Sequence, residues 1–187
     1  MNLPNKLTLG RIVLVPVFAV FAALAASTHE GRWYLIAAVV FAVASLTDML
    51  DGRIARKRNL VTNFGKFADP LADKILTTAA FLYMLKEGVC DPAVLILILF
   101  REFAVSGLRM LAAGAPKGMV IPANIWGKMK TVTQMLSILL FYVGSFFAPT
   151  GAALRMVVSV LCWVCAAVTV ASGVTYFTAA GHLLSDK

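Results

Sequence analysis

Residues 33–56 read WYLIAAVVFAVASLTDMLDGRIAR: fifteen apolar or small residues, Trp33 to Thr47, run directly into Asp48, Asp51, Arg53 and Arg56. The first part has the composition of a helix buried in lipid, where about 20 residues span the hydrocarbon core. The second part is what lipid excludes. A carboxylate at the centre of a span costs about 2.5–3.5 kcal/mol on insertion scales, so acids at such positions are functional hypotheses by default. Asp48 therefore belongs at or inside the membrane boundary, at the end of a span.

Outward from this stretch the chain repeats the apolar theme. Further runs fall at about 9–27, 71–86, 92–112, 125–147 and 153–180, separated by polar punctuation at Ser27–Arg32, Lys57–Asn63, Lys86–Pro92, Gly114–Asn124 and Ala148–Gly151. Of 187 residues, 60% are hydrophobic and 14% charged, against about 45–50% and about 25% in soluble domains. That excludes disorder, a collagen, a disulfide-stapled scaffold and an ordinary soluble enzyme. Six spans use about 120 residues and leave about 67 for loops and ends, whereas seven leave almost none. The expected fold is all-α: a polytopic membrane protein with six transmembrane helices, in a single domain covering residues 1–187 without internal repeats.

Orientation follows from the basic residues, which favour the cytoplasmic side. Lys6, Arg11, Arg53, Arg56, Lys57, Arg58, Lys66, Lys74, Arg109, Lys117, Lys128, Lys130 and Lys187 fall on one side, and Arg32, Lys86 and Arg155 on the other, thirteen against three. Both termini are expected in the cytoplasm and the chain in the cell membrane. Lys6 and Arg11 followed by Ile12–Ala26 also resemble a secretory signal; cleavage there would leave five spans and place the basic loops inconsistently, so an uncleaved first helix is expected. Cys90 lies in an outer loop, and Cys162 and Cys165 lie inside the last run, where packing explains them better than redox chemistry.

Charge is concentrated in residues 48–73, DMLDGRIARKRNLVTNFGKFADPLAD, which hold nine of the 26 charged side chains and four of the nine acids. At 100° per residue, with Asp48 at 0°, Asp51 lies at about −60°, Gly52 at about +40°, Ala55 at about −20° and Arg56 at about +80°. Asp69 and Asp73 are about 40° apart, with Gly65 on the same side. Two helices joined by a short connection can thus present four carboxylates to each other, which would repel or take up protons without a cation. All-oxygen donors without His or Cys suit a hard divalent ion or a pair of them, Mg²⁺ or Mn²⁺ rather than zinc. Each residue singly has a plainer reading: solvated helix ends for the acids, close helix packing for Gly52, Ala55 and Gly65, and for Asp69 before Pro70 an N-cap with proline in the first turn. Their combination is what those readings leave unexplained.

The pattern Asp48-x2-Asp51-Gly52-x2-Ala55-Arg56-x8-Gly65-x3-Asp69-x3-Asp73 resembles, at every fixed position, the signature of the CDP-alcohol phosphotransferases. Asn2–Thr8 with Arg11, Arg101–Arg109 and Gly127–Thr131 resemble the bacterial branch whose acceptor is glycerol 3-phosphate. The resemblance implies transfer of the phosphatidyl group of CDP-diacylglycerol to that acceptor, giving phosphatidylglycerophosphate and CMP, with the site facing the cytoplasm. It implies that Asp48, Asp51, Asp69 and Asp73 hold divalent metal, two ions of Mg²⁺ or Mn²⁺, and that Asp73 is the general base. Gly52, Ala55, Arg56 and Gly65, with Asn5 and Thr8, would line the CDP site. A homodimer is implied, and no nucleic-acid partner. The last apolar run contributes nothing to the resemblance.

A phosphorylated acceptor needs its own cations. Arg109 and Lys130 are the first candidates for its phosphate, with Arg101 and Lys128 behind them. Arg101 and Arg109 are about 80° apart around one helix and ~12 Å along it, too far for one small phosphate unless the helix tilts or kinks. Arg101-Glu102 also reads as a buried ion pair. Lys128 and Lys130 are about 200° apart, so one of them is expected to face the site; attraction to anionic lipid headgroups also accounts for Lys128. Competing functions are the same chemistry on another acceptor (inositol phosphate, serine or phosphatidylglycerol) and a cation transporter. The transporter reading lacks an acidic path across the outer half.

Overall fold

A computed structural model describes the backbone of residues 3–57, 63–114 and 124–179, and the side chains of 8–47, 71–112 and 124–178. The described secondary structure is six helices: α1 (Leu3–Thr28), α2 (Gly31–Lys57), α3 (Asn63–Lys86), α4 (Pro92–Gly114), α5 (Ile125–Phe147) and α6 (Ala152–Ala179). Each expected run is a helix, and α5 has the expected bounds. Two helices begin more than a turn earlier than their apolar runs, α1 at Leu3 and α3 at Asn63, because polar residues with good helix propensity extend a helix beyond its apolar stretch. Asp69 and Pro70 consequently lie inside α3, which removes the reading of Asp69 as an N-cap.

Among the described residues, three stretches are long and apolar enough to cross a membrane: Thr8–Thr28, Ile125–Phe147 and Ala152–Thr178. Gly31–Thr47 is a shorter apolar helix segment. Charge interrupts the other two helices, at Asp73 and Lys74 on α3 and at Arg101, Glu102 and Arg109 on α4.

Short connections gather at one end of the bundle. His29 and Glu30 join α1 to α2, with His29 in the left-handed region at φ 52°. Gly88, at φ 70°, lets the chain reverse after α3, and the Val89 N–H closes back onto Met84 O at 2.9 Å. Asp91 Oδ1 then accepts the Ala93 N–H at 2.7 Å at the start of α4. Inside, α1 packs on α2 and α3, α5 on α2 and α6, and α4 on α6. Phe18, Tyr34, Phe41, Phe81, Met84, Phe141 and Tyr142 are fully buried, and Tyr142 meets Phe18 and Phe141 edge-on at 5.4 and 5.0 Å between ring centroids. Such aromatic pairs add about 0.5–1.5 kcal/mol beyond area burial. Gly31 permits a close helix approach, since a Cβ there would clash with the Phe146 carbonyl oxygen. Cys90, Cys162 and Cys165 are free and buried in this core.

A polar hub closes the same end. The Tyr34 hydroxyl donates to Glu87 Oε2 at 2.6 Å, Arg155 Nη1 lies 3.7 Å from that oxygen, and Arg155 also donates to the Glu87 carbonyl. His29 Nδ1 lies 3.4 Å from the Tyr34 hydroxyl. One glutamate therefore links all three short connections.

Candidate active site

The opposite end holds a cleft of about 750 Å³ between α3, α4, α5 and α6, lined by residues that include Asp73, Lys74, Arg101, Glu102, Ser106, Arg109, Lys128, Lys130 and Tyr176. On α4 the spacing Arg101, Glu102, Val105, Arg109 follows the helical repeat, so one face carries these side chains to the cleft. The first turns of α5 supply Lys128 and Lys130, anchored by Asn124, whose Oδ1 accepts the Gly127 N–H at 2.8 Å as the N-cap. Asp73 and Lys74 come from α3.

Charge in the cleft is unbalanced. Among the described residues, five cations, Lys74, Arg101, Arg109, Lys128 and Lys130, face two carboxylates, Asp73 and Glu102. Glu102 Oε1 accepts from Lys130 and, at 3.4 Å, from Arg101 Nη1. Lys74 donates to Ser106 Oγ and, at 3.4 Å, lies on the Glu102 carbonyl oxygen. Arg109 Nη2 donates to the Tyr176 hydroxyl at 2.7 Å, and Arg101 Nη2 to Ser172 Oγ at 2.6 Å. Thr77 Oγ1 donates to the Asp73 carbonyl at 3.1 Å. With walls of helix and side chain rather than water, such an excess of positive charge attracts anions more strongly than the same charges would in solution.

One helical-wheel expectation is qualified here and another is corrected. Arg101 and Arg109 both reach one ring, their guanidinium groups lying over Tyr176 at 5.3 and 5.1 Å from its centroid. The wheel measured backbone positions, whereas each long side chain covers several ångströms on its own. Arg101 lines the cleft and is also ion-paired with Glu102, as the plainer reading of Arg101-Glu102 expected. Lys128 and Lys130 both line the cleft, Lys130 buried against Glu102 and Lys128 exposed at the rim.

Of the remaining predicted residues, Asp73 is half-buried on the wall of the cleft and Thr8 is buried in α1. The side chains of Asp48, Asp51, Gly52, Ala55, Arg56, Gly65 and Asp69, and of Asn5, lie outside the described residues; the backbone at each of these positions is helical. Among the described residues no group of three or more His, Cys, Asp or Glu is assembled. The donor set itself fits a hard cation. Asp69 precedes Asp73 by one turn of α3, Asp48 and Asp51 lie toward the C-terminal end of α2, and α2 packs on α3.

Sequence reasoning missed Lys74, Ser106, Ser172 and Tyr176 as site residues. Arg11, read as a topological charge, is fully buried one turn from Thr8. A signal for the α6 residues exists: Cys162, Cys165, Thr169, Ser172 and Tyr176 recur at alternating steps of three and four, and all are buried. That is a polar and small stripe on an otherwise apolar span.

The family described as CDP-alcohol phosphatidyltransferase matches residues 1–174. The CDP-diacylglycerol--glycerol-3-phosphate 3-phosphatidyltransferase of Bacillus subtilis (strain 168) is 40% identical over 187 residues, covering 95% of this chain and 94% of that protein. The protein of the same name from Rickettsia felis is 39% identical over 179 residues, with 95% and 94% covered. A match that takes in α1 to α5 and most of α6, the acidic pattern of residues 48–73 and the cationic cleft together leaves one conclusion: the chain belongs to the CDP-alcohol phosphatidyltransferase family of enzymes.

Proposed function

We propose that the protein transfers the phosphatidyl group of CDP-diacylglycerol to glycerol 3-phosphate, giving phosphatidylglycerophosphate and CMP. The observation that carries the acceptor is the cleft, where Arg101, Arg109, Lys128 and Lys130 surround the same space as Asp73. An uncharged alcohol would have no use for those cations; an acceptor that carries a phosphate on the same three-carbon chain as its attacking hydroxyl does. The relatives from Bacillus subtilis and Rickettsia felis carry this acceptor in their names.

The residues divide the work as follows. Arg109 and Lys130, with Arg101 and Lys128, bind the acceptor phosphate and orient its free hydroxyl toward Asp73. Asp73 accepts the hydroxyl proton as oxygen attacks the phosphatidyl phosphorus and the bond to the CMP oxygen breaks; a positioned base of this kind contributes about 10²–10⁴ in rate. Asp48, Asp51, Asp69 and Asp73 would hold two divalent ions, Mg²⁺ or Mn²⁺, whose chemistry when bound is to neutralise the diphosphate oxygens. Gly52, Ala55 and Gly65 leave room for the nucleotide against the backbone, and Arg56, Asn5 and Thr8 complete its site.

The surrounding topology in this reading is six membrane spans with both termini and the cleft on the cytoplasmic side of the cell membrane, in a homodimer. The thirteen-to-three partition of basic residues supports it, as does a cleft at the end opposite the three short connections. The test is direct: purified protein, CDP-diacylglycerol, radiolabelled glycerol 3-phosphate and Mg²⁺. Metal-dependent CMP release with label in the lipid is expected. No release refutes the reading, and label entering lipid only from inositol phosphate or serine reassigns the acceptor.

A further inference from the structure

Arg101 and Arg109 leave α4 eight residues apart, ~12 Å along the axis, yet both guanidinium groups lie over one buried ring. Two like charges do not converge unless something draws them together. Tyr176 on α6 offers the negative face of its ring to both. Its hydroxyl accepts from Arg109 Nη2 at 2.7 Å and from the Asn124 N–H at 3.4 Å. Neighbouring residues of α6 reinforce this: Ser172 accepts from Arg101 Nη2 at 2.6 Å, and Thr175 Oγ1 accepts from Asn124 Nδ2 at 2.6 Å. Asn124 is the cap from which α5 starts, so the same two turns of α6 fix both arginines and the origin of Lys128 and Lys130.

We propose that Tyr176 is the positioning residue of the acceptor site, holding Arg109 and Arg101 as one fork for a phosphate monoester; this rests on the reading of the cleft as the acceptor-phosphate site. A guanidinium has five N–H donors. Arg109 is exposed and directs one of its five at Tyr176. Donors thus remain for a ligand after the side chains have been oriented. Orientation in advance is what lets a charged fork bind without first ordering two long, flexible side chains. Gly127 belongs to the same device, because a Cβ there would lie 3.3 Å from both the Tyr176 hydroxyl and Asn124 Oδ1.

Tyr176→Phe keeps the ring and removes the hydroxyl, so it tests the device without opening a cavity. With full-length protein in detergent, KM for glycerol 3-phosphate is expected to rise roughly five- to tenfold, the loss of one hydrogen bond to a charged group. Neither kcat nor KM for CDP-diacylglycerol should move by more than about twofold. Inorganic phosphate, as a competitor of the acceptor, should lose affinity by the same factor. A merely structural role would lower the thermal midpoint or move both KM values together, and that pattern overturns the proposal, as does an unchanged KM. Should wild type release no CMP with glycerol 3-phosphate, the acceptor reading fails by itself. Phosphate binding to wild type and Tyr176→Phe, followed by thermal shift, then decides the positioning role: weaker binding to the variant supports it and equal or absent binding refutes it. If Tyr176→Phe fails to fold, Gly127→Ala, which presses on the same hydroxyl, replaces it with the same expected split.

Discussion

The two ends of this bundle both bury charge, and they do so differently. At the end of the short connections Glu87 is met by Tyr34 and Arg155, in a hub whose glutamate side chain is 2% exposed. At the other end, among the described residues, five cations meet two carboxylates around an open cleft. A charge cluster that is matched and enclosed ties elements together. One that is open to solvent can take a partner from outside. In a chain with so few charged side chains, this difference separates the scaffold from the site without any appeal to likeness.

The sharpest test of that division is Asp73→Asn, which removes a carboxylate from the cleft without changing its shape. Turnover is expected to fall about 10²–10⁴-fold while CDP-diacylglycerol binding remains largely intact; an active Asp73→Asn enzyme would remove the general base. Next in size are Arg109→Ala and Lys130→Ala. Each deletes a charged hydrogen-bond donor to the acceptor phosphate, so KM for glycerol 3-phosphate should rise about 10- to 100-fold, with KM for CDP-diacylglycerol much less affected. Equal effects on both substrates would mean that the cleft's excess charge serves the nucleotide, and the assignment of the two substrates would have to be redrawn.

Much of this was legible beforehand because lipid makes charge conspicuous. The apolar runs located all six helices, and an arginine or lysine inside a greasy helix marked itself as a candidate, as Arg101, Arg109 and Lys130 did. The helix starts at Leu3 and Asn63 were not legible, since polar helical turns carry no hydrophobic signal. Tyr176 and Ser172 were hidden for a different reason. They carry no charge, they sit in a span without a charged motif of the kind found on α2 to α5, and their importance comes from what long side chains on another helix do when they reach them. A helical wheel records where a side chain leaves the backbone, and the site is made where the side chains end.

At the hub the expected effects are on stability. Tyr34→Phe removes the hydroxyl that donates to Glu87 and should lower stability by about 1–2 kcal/mol, read as a lower thermal midpoint in detergent, with kcat and both KM values unchanged. A changed KM for glycerol 3-phosphate would break the comparison, because it would couple the hub to the cleft through the length of the bundle.

The smallest effect is one of pH. Burial pushes the Glu87 carboxyl above the ordinary glutamate range, against the downward pull of the Tyr34 hydrogen bond and of Arg155. An acid that holds its proton more tightly when folded stabilises the fold fully below its unfolded value, about 4.3. That contribution is lost as pH rises through the folded value. The thermal midpoint of the wild type should therefore decline, relative to Glu87→Gln, as pH is raised from about 4.5 toward 7.5, because the glutamine cannot ionise. The slope is the readout, since the amide also changes what faces Arg155 and shifts the absolute midpoint at every pH. Parallel curves would mean that Tyr34 and Arg155 fully offset the cost of burial. The hub would then hold an ionised acid as readily as the cleft does, and the two ends would differ only in the balance of their charges.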